Sequence, residues 1–302
     1  MATPKLPDSY NTFTLPGLLF SHHPPTSTTV TPVIILSLHR PSARNAFNVA
    51  MAHSLITAFD LVSSDDRVRA VVLSSSDQTN RVFCVGMDFN DREPLPEKPE
   101  HHRDLGGRVS LAIHNCAKPV VAAINGSAVG VGITMTLSAN IRVVSRDASV
   151  GFVFSRRGIV LEACSSFFLP RLIGTARALH LVSTGAVYPA SHRLFADLFS
   201  EIVAPDRVLP TALAIADDLA ANVSLLALRL SKDLVYRAPD SPEEAHLLES
   251  RLLHVLFHGQ DFQEGVKSFL QKRKPDFRAT LEDAPASYPW WTPVDIRDKS
   301  KL

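Results

Sequence analysis

One stretch, residues 118–132 (KPVVAAINGSAVGVG), limits what this chain can fold into. Its first part, 119–124 (PVVAAI), carries no charge and two β-branched valines, the pattern of a strand buried on both faces. Asn125-Gly126 punctuates the run, and Gly130-Val131-Gly132 leads into Ile133, Met135, Leu137 and Ala139, whose apolar spacing reads as the first turns of a buried helix. A buried strand thus delivers backbone N–H groups, through a glycine-rich bend, to a helix N-terminus. Such an end has unsatisfied donors and a positive partial charge, so it is a candidate site for an oxygen on which negative charge develops. Glycine-rich turns also cradle dinucleotide phosphates, but the G-x-G-x-x-G spacing is missing and no Walker lysine follows. The same glycines suit a helix that only packs close to a sheet, and this stretch alone leaves the two readings level.

The flanking segments supply the rest of an α/β domain. Val33–Leu38 is β-rich, Met51, Leu55, Ala58, Phe59 and Val62 mark an amphipathic helix starting at Asn48, and 69–74 (RAVVLS) is a second strand. Strand, helix, strand, then the central strand and its helix place a sheet at the centre. The run 81–88 (RVFCVGMD) ends in glycine and a polar residue, which suits a turn where backbone approaches a ligand and Met87 presents its N–H. Residues 89–107, with Pro94, Pro96 and Pro99, read as a surface loop able to cover a pocket. His101 and His102 lie in it without further metal-ligand spacing and read as solvated loop residues. Residues 1–32 hold six prolines and read as an extended lead-in, with a short strand around 13–20.

Downstream, 174–198 reads as helical with breaks at Gly185 and Pro189, and 199–203 as a last short strand. Asp206 is placed to cap a helix over 207–222 and Ser224 one over 225–236; Ser241-Pro242-Glu243-Glu244 combines an N-cap, an N1 proline and a capping-box glutamate. Gly259 stops that helix, and a final one runs from Asp261 to the basic cluster Lys272-Arg273-Lys274.

Formal net charge of +1 gives no broad attraction for nucleic acid, so an anionic ligand has to be caught locally. Cys84, Cys116 and Cys164 show neither C-x-x-C spacing nor an even count, against a disulfide framework or zinc knuckle. The central uncharged stretch, between Lys118 and Arg142, carries Asn125 and several small residues, so no transmembrane helix is expected, and residues 1–32 lack the features of a secretion signal. Ser300-Lys301-Leu302 closes the sequence with the S-K-L address read by the peroxisomal import receptor, so the peroxisome is the expected compartment.

Four blocks together, R-P-S-A-R-N-A-F at 40–47, F-C-V-G-M-D at 83–88, the 118–132 stretch and E-G-V-K-S-F-L-Q-K-R-K-P-D-F at 264–277, resemble the enoyl-CoA hydratase/isomerase (crotonase) family in order and spacing. The resemblance runs from about residue 33 to 277. It implies an α/β spiral of ββα units over 33–205, a helical trimerisation region over 206–277 giving a homotrimer or hexamer, and a tail over 278–302 outside the match. It implies an acyl-CoA thioester as substrate, with coenzyme A part of that substrate and neither cofactor nor metal besides. The thioester carbonyl would sit between the backbone N–H groups of Met87 and Val131, where valine replaces the usual middle glycine. Substrate-binding positions map onto Arg44, Ala46, Asp88, Gly130, Phe269 and Lys272, with the basic cluster at 272–274 near the CoA phosphates. A dipole-matching helix end explains that cluster equally well.

The two glutamates of hydratases in this family map to Thr134 and Phe154, so both acids are missing. The segment 158–166 (GIVLEACSS) instead resembles the part of peroxisomal Δ3,Δ2-enoyl-CoA isomerases that carries the catalytic glutamate, with Glu162 in its place. Its apolar neighbours suit a carboxylate whose pKa is raised toward proton-shuttling range, while a first-turn acid of a helix over 163–172 is the competing explanation. A single carboxylate favours isomerisation over hydration. The alternatives are a hydratase or dehydratase of specialised fungal metabolism, such as siderophore or toxin assembly, and a non-catalytic acyl-CoA-binding protein. A serine hydrolase built on Ser127 or Ser165 has no nucleophile-elbow spacing behind it.

Overall fold

The uncharged valine-rich runs become the main sheet. In the computed structural model, which describes residues 6–91, 94–96 and 98–296, six strands line up in the order β1-β2-β3-β5-β7-β10. They are Leu18–His23 (β1), Val33–Leu38 (β2), Ala70–Ser75 (β3), Val120–Ile124 (β5), Ile141–Ser145 (β7) and Glu201–Val203 (β10). β2, β3, β5, β7 and β10 run parallel; β1 adds an antiparallel edge, with Leu18 opposite Leu38. Every residue of β3 and β5 is buried, as a parallel sheet covered on both faces requires.

A second, smaller sheet has the order β4-β6-β8-β9, from Val82–Cys84 (β4), Ser127–Val129 (β6), Ser149–Gly151 (β8) and Val187–Pro189 (β9). Each long strand hands the chain to a short one and then to a helix: β3 to β4 to Leu105–Asn115 (α2), β5 to β6 to Val131–Thr134 (α3), and β7 to β8 to Ser165–Ile173 (α4). The chain is therefore a spiral of ββα turns. The first turn is abbreviated: after β2 a single parallel bridge, Phe47 to Met87, stands in for the short strand before Val49–Ser64 (α1).

The main core gathers α1, α2 and the small sheet on one face of the large sheet. The other face is covered by Val208–Asn222 (α6), whose Val208, Ala212, Ala216 and Ala220 pack on Val33, Ala70, Val72, Val121 and Val143. Three alanines spaced by one turn let this helix lie close to the sheet, so α6 belongs to the core and the expected boundary at 205/206 is not a break in packing. Helices Thr175–Thr184 (α5), Leu225–Arg237 (α7), Pro242–Phe257 (α8) and Gln260–Gln271 (α9) complete the described chain. No single helix among the described residues is long and apolar enough to cross a membrane.

Several sequence-based expectations need correction. The lead-in over 1–32 is not merely extended: β1 joins the sheet, and Tyr10 is fully buried with its hydroxyl donating to Asp65 at 3.0 Å. The helix expected from Ile133 onward is only one α-turn, followed by a 3-10 turn over Met135–Ser138. There Thr136 and Ser138 return their hydroxyls to the carbonyls of Ile133 and Met135, the local competition that shortens helices. Asp206 lies inside a 3-10 turn and caps nothing, whereas Ser224 and Ser241 accept from the N–H groups of Ala227 and Glu244 as expected. Of the helical reading for 174–198 only α5 holds; β9 and a 3-10 turn at Arg193–Phe195 take the remainder. The described part of the tail folds onto α7: Tyr288 donates to Asp233 at 2.6 Å, Trp290 to the Arg237 carbonyl at 3.0 Å, and Arg237 stacks over Trp291.

Candidate active site

Two glycine bends, just after β4 and just after β6, set the site. Gly86, at φ 103°, and Gly130, at φ 56° and ψ −128°, adopt backbone geometry that only glycine reaches at little cost. They lie back to back: a methyl at Gly86 would come within 3.1 Å of the Val129 carbonyl, and one at Gly130 within 3.9 Å of Gly86 Cα. Gly130 is pinned by its N–H donating to the Gly151 carbonyl at 2.9 Å. The residues that follow are Met87 and Val131. Phe47 pairs with the residues on either side of Met87, donating to Gly86 and accepting from Asp88, both at 2.8 Å. In a parallel bridge of that kind Met87's own N–H points away from Phe47. Val131 opens α3, and the first N–H of a helix has no acceptor within it.

A cavity of about 750 Å³ opens beside these bends, with Met87, Val131 and Glu162 in its lining. Phe47, Phe89, Leu95, Leu105 and Ile159 make its apolar wall; Asn48, Asp91, His102 and Asp104 supply polar groups. His102 is exposed, as read from the sequence, and also lies in the lining. Among the described residues no group of three or more His, Cys, Asp or Glu side chains is arranged to hold a metal ion.

Glu162 stands on a tight turn just before α4, not within it. Ala163 and Cys164 both adopt left-handed geometry at φ 55°, a costly pair for non-glycine residues. The turn is held from two sides. Ser165 donates its N–H and its hydroxyl to the Glu162 carbonyl at 2.9 and 2.6 Å, and the Ala163 N–H donates to Asp104 Oδ1 at 3.2 Å. Asp104 also caps α2, accepting from the Gly107 N–H at 2.5 Å, so one carboxylate fastens the helix start to the glutamate's turn.

The Glu162 carboxyl group is packed from three directions. Thr134, on α3, donates its hydroxyl to Oε1 at 2.5 Å. Oε2 presses on Gly106 so closely that a methyl group there would collide with it, and the same methyl would lie 3.2 Å from Val131 Cγ2. Burial raises the Glu162 pKa from 4.5 to about 7, the Thr134 hydrogen bond opposes the rise, and the charge of Asp104 adds to it.

Of the positions singled out in the sequence, the fold brings Met87, Val131 and Glu162 around one cavity, with Gly130 as the bend that aims Val131. Arg44, Ala46, Asp88, Phe269 and Lys272 are not in its lining. Asp88 pairs with Arg40 at 3.0 Å, and the same guanidinium takes the Ala46 carbonyl. These two positions therefore brace the Met87 bend. Arg44 is exposed, Phe269 is 82% exposed on α9, and Lys272 is the left-handed C-cap of that helix. Ser300, Lys301 and Leu302 lie outside the described residues. Asp104, Gly106 and Thr134 were not picked out as functional. The D-x-x-G capping pattern of Asp104 and Gly107 is the available signal, but both residues fall in the loop expected over 89–107, and no helix was expected over 105–115.

Comparison with known proteins agrees with this architecture. The family model described as Enoyl-CoA hydratase/isomerase matches residues 28–280. The chain is 47% identical over 253 residues to an Alternaria alternata protein named Enoyl-CoA hydratase ACTT3, covering 83% of this chain and 84% of that one. It is 31% identical over 253 residues to the 1,2-epoxyphenylacetyl-CoA isomerase of Escherichia coli (strain K12), covering 81% and 94%. The crystal structure of a probable enoyl-CoA hydratase/isomerase from Mycobacterium abscessus superposes with a TM-score of 0.73 at 31% identity, over 82% of this chain and 96% of the other. A spiral of ββα turns, paired glycine bends beside one cavity and a match over most of its length place this chain in the enoyl-CoA hydratase/isomerase family.

Proposed function

We propose that this protein moves the double bond of a 3-enoyl-CoA to the 2-position, with Glu162 as the only proton shuttle. The observation that carries the reading is the state of the three carboxylates in the cavity lining. Asp91 is exposed and tied to Asn48 at 2.7 Å, and Asp104 is committed to two backbone N–H groups. Glu162 alone is shielded, with a pKa of about 7 that suits both taking and returning a proton near neutrality. The Met87 and Val131 N–H groups would hold the thioester oxygen, stabilising the charge that develops there when Glu162 removes a proton from C2. The double bond shifts as the enolate collapses, the same proton is delivered to C4, and no atom of water enters the product.

Hydration is the second reading, favoured by the naming of the Alternaria relative and by the polar groups around Glu162. It requires a water activated by Glu162 and oriented by Asp104 or His102. Purified protein given 3-enoyl-CoA and 2-enoyl-CoA of several chain lengths separates the two. Isomerisation predicts consumption of the 3-enoyl ester without 3-hydroxyacyl product; rapid hydration of the 2-enoyl ester alone would overturn the proposal.

Assembly and CoA contacts are part of the same proposal. Phe257, Phe262, Phe269 and Leu270 leave α8 and α9 with exposed apolar surface suited to a homotrimer or hexamer. Within the basic cluster Arg273 makes a two-pronged pair with Glu264 at 2.5 and 2.8 Å, which leaves Lys272 and Lys274, and the family resemblance selects Lys272 as the cation we assign to the CoA phosphates.

A further inference from the structure

Thr134 stands where hydratases of the resembled pattern carry an acid, and its hydroxyl is fully buried against the carboxyl group of Glu162. Its Oγ1 lies 2.5 Å from Glu162 Oε1 and 3.2 Å from the Gly130 carbonyl. A hydroxyl has one hydrogen, which serves one of these acceptors at a time. The shorter contact goes to a carboxylate and is charge-assisted, while the Gly130 carbonyl already accepts the Thr134 N–H at 3.0 Å. With Glu162 ionised the hydroxyl hydrogen therefore belongs to Oε1. Among the described residues Oε2 accepts no hydrogen bond. The two oxygens of one carboxylate are made unequal by a single neighbour.

We propose that Thr134 is a positioning residue that occupies Glu162 Oε1, so that the proton moved between substrate carbons is carried on Oε2. Placing that proton on Oε1 would require Thr134 to turn its hydrogen to a longer, already shared carbonyl and give up the charge-assisted bond. The other groups facing the carboxyl are Asp104 at the start of α2, Cys84 at the end of β4 and Cys164 ahead of α4, with Asp91 and His102 in the cavity wall. Among the described residues none of them hydrogen-bonds to it.

The inference rests on the shuttle role proposed for Glu162, so its test includes a readout independent of turnover. In the full-length protein the Glu162 carboxyl is titrated by infrared difference spectroscopy, with Glu162→Gln identifying the band, in wild type, Thr134→Val, Thr134→Ala and Thr134→Ser. Loss of the hydroxyl in the Val or Ala variant is expected to raise the Glu162 midpoint by about one pH unit, because a bond to the charged form is lost. It is also expected to lower kcat on 3-enoyl-CoA roughly ten- to a hundredfold with little change in KM. Thr134→Ser should restore both. An unchanged midpoint in both Val and Ala variants, or a Ser variant that behaves like Val, overturns the assignment of Thr134. If Glu162→Gln keeps isomerase activity, the shuttle reading falls instead, and the infrared midpoints still decide whether Thr134 holds the carboxylate.

Discussion

Gly106→Ala tests the geometry of the site with one methyl group. Gly106 is the second residue of α2, a first-turn position where alanine is at least as good a helix former as glycine. Judged by helix formation alone, the change is benign. The added methyl, however, would fall on Glu162 Oε2 and within 3.2 Å of Val131 Cγ2. The carboxyl group cannot slide aside freely, because Thr134 holds Oε1 at 2.5 Å and the Ser165 and Asp104 contacts fix the turn beneath it. It has to swing out by a distance on the order of 1 Å, and misplacement of that size costs about 10²-fold in rate. The expected outcome is a kcat on acyl-CoA substrate reduced about a hundredfold in a protein whose thermal midpoint is unchanged or slightly raised. Gly107→Ala is the comparison: its methyl would lie 2.5 Å from Asp104 Oδ2, so it should loosen the α2 cap and lower stability by about 1 kcal/mol. Steady-state kinetics and thermal unfolding of both variants check this. A Gly106→Ala enzyme with wild-type kcat would show that activity does not depend on where the Glu162 carboxyl sits.

Other outcomes follow from the same contacts. Glu162→Gln keeps the side chain's shape but removes the base, so turnover should fall by roughly 10²–10⁴-fold with substrate affinity far less affected; near-normal turnover would remove Glu162 from the chemistry. The folded-state pKa of Glu162 lies above its unfolded value, so ionisation favours the unfolded chain: the penalty is absent below pH 4.5 and complete above about 7. Chemical denaturation at pH 4 and pH 8 should therefore show Glu162→Gln gaining about 3 kcal/mol over wild type between the two, and a pH-independent difference would refute the raised pKa. Because the base acts ionised, kcat/KM should rise with pH through about 7, and Asp104→Asn, which keeps an acceptor for the backbone but deletes a charge, should move that limb to lower pH. Deleting Ser300, Lys301 and Leu302 should leave a tagged protein cytosolic; continued entry into peroxisomes without partner subunits would refute the targeting role.

The sequence by itself determined the elements whose signal is local. An uncharged β-branched run has nowhere to go but the centre of a sheet, so β2, β3 and β5 were legible, and the apolar spacing after Asn48 fixed α1. Gly86 and Gly130 marked bends in the sequence, where the structure finds positive φ, while the pairing of Met87 with Val131 came from the family resemblance and not from the glycines. Glu162 stood out as a charge in an apolar segment. What only the tertiary structure decided depends on residues far apart in the chain. Strands of three residues such as β4, β6 and β8 carry no periodicity of their own and exist because neighbouring turns of the spiral pair them. Asp104, Gly106 and Thr134 reach Glu162 from α2 and α3, and nothing in their own neighbourhoods distinguishes a cap, a helical glycine and a buried threonine from ordinary structure. The environment that raises the pKa of this carboxylate is long-range desolvation and contact, and a linear pattern records only the group that is shielded, not what shields it.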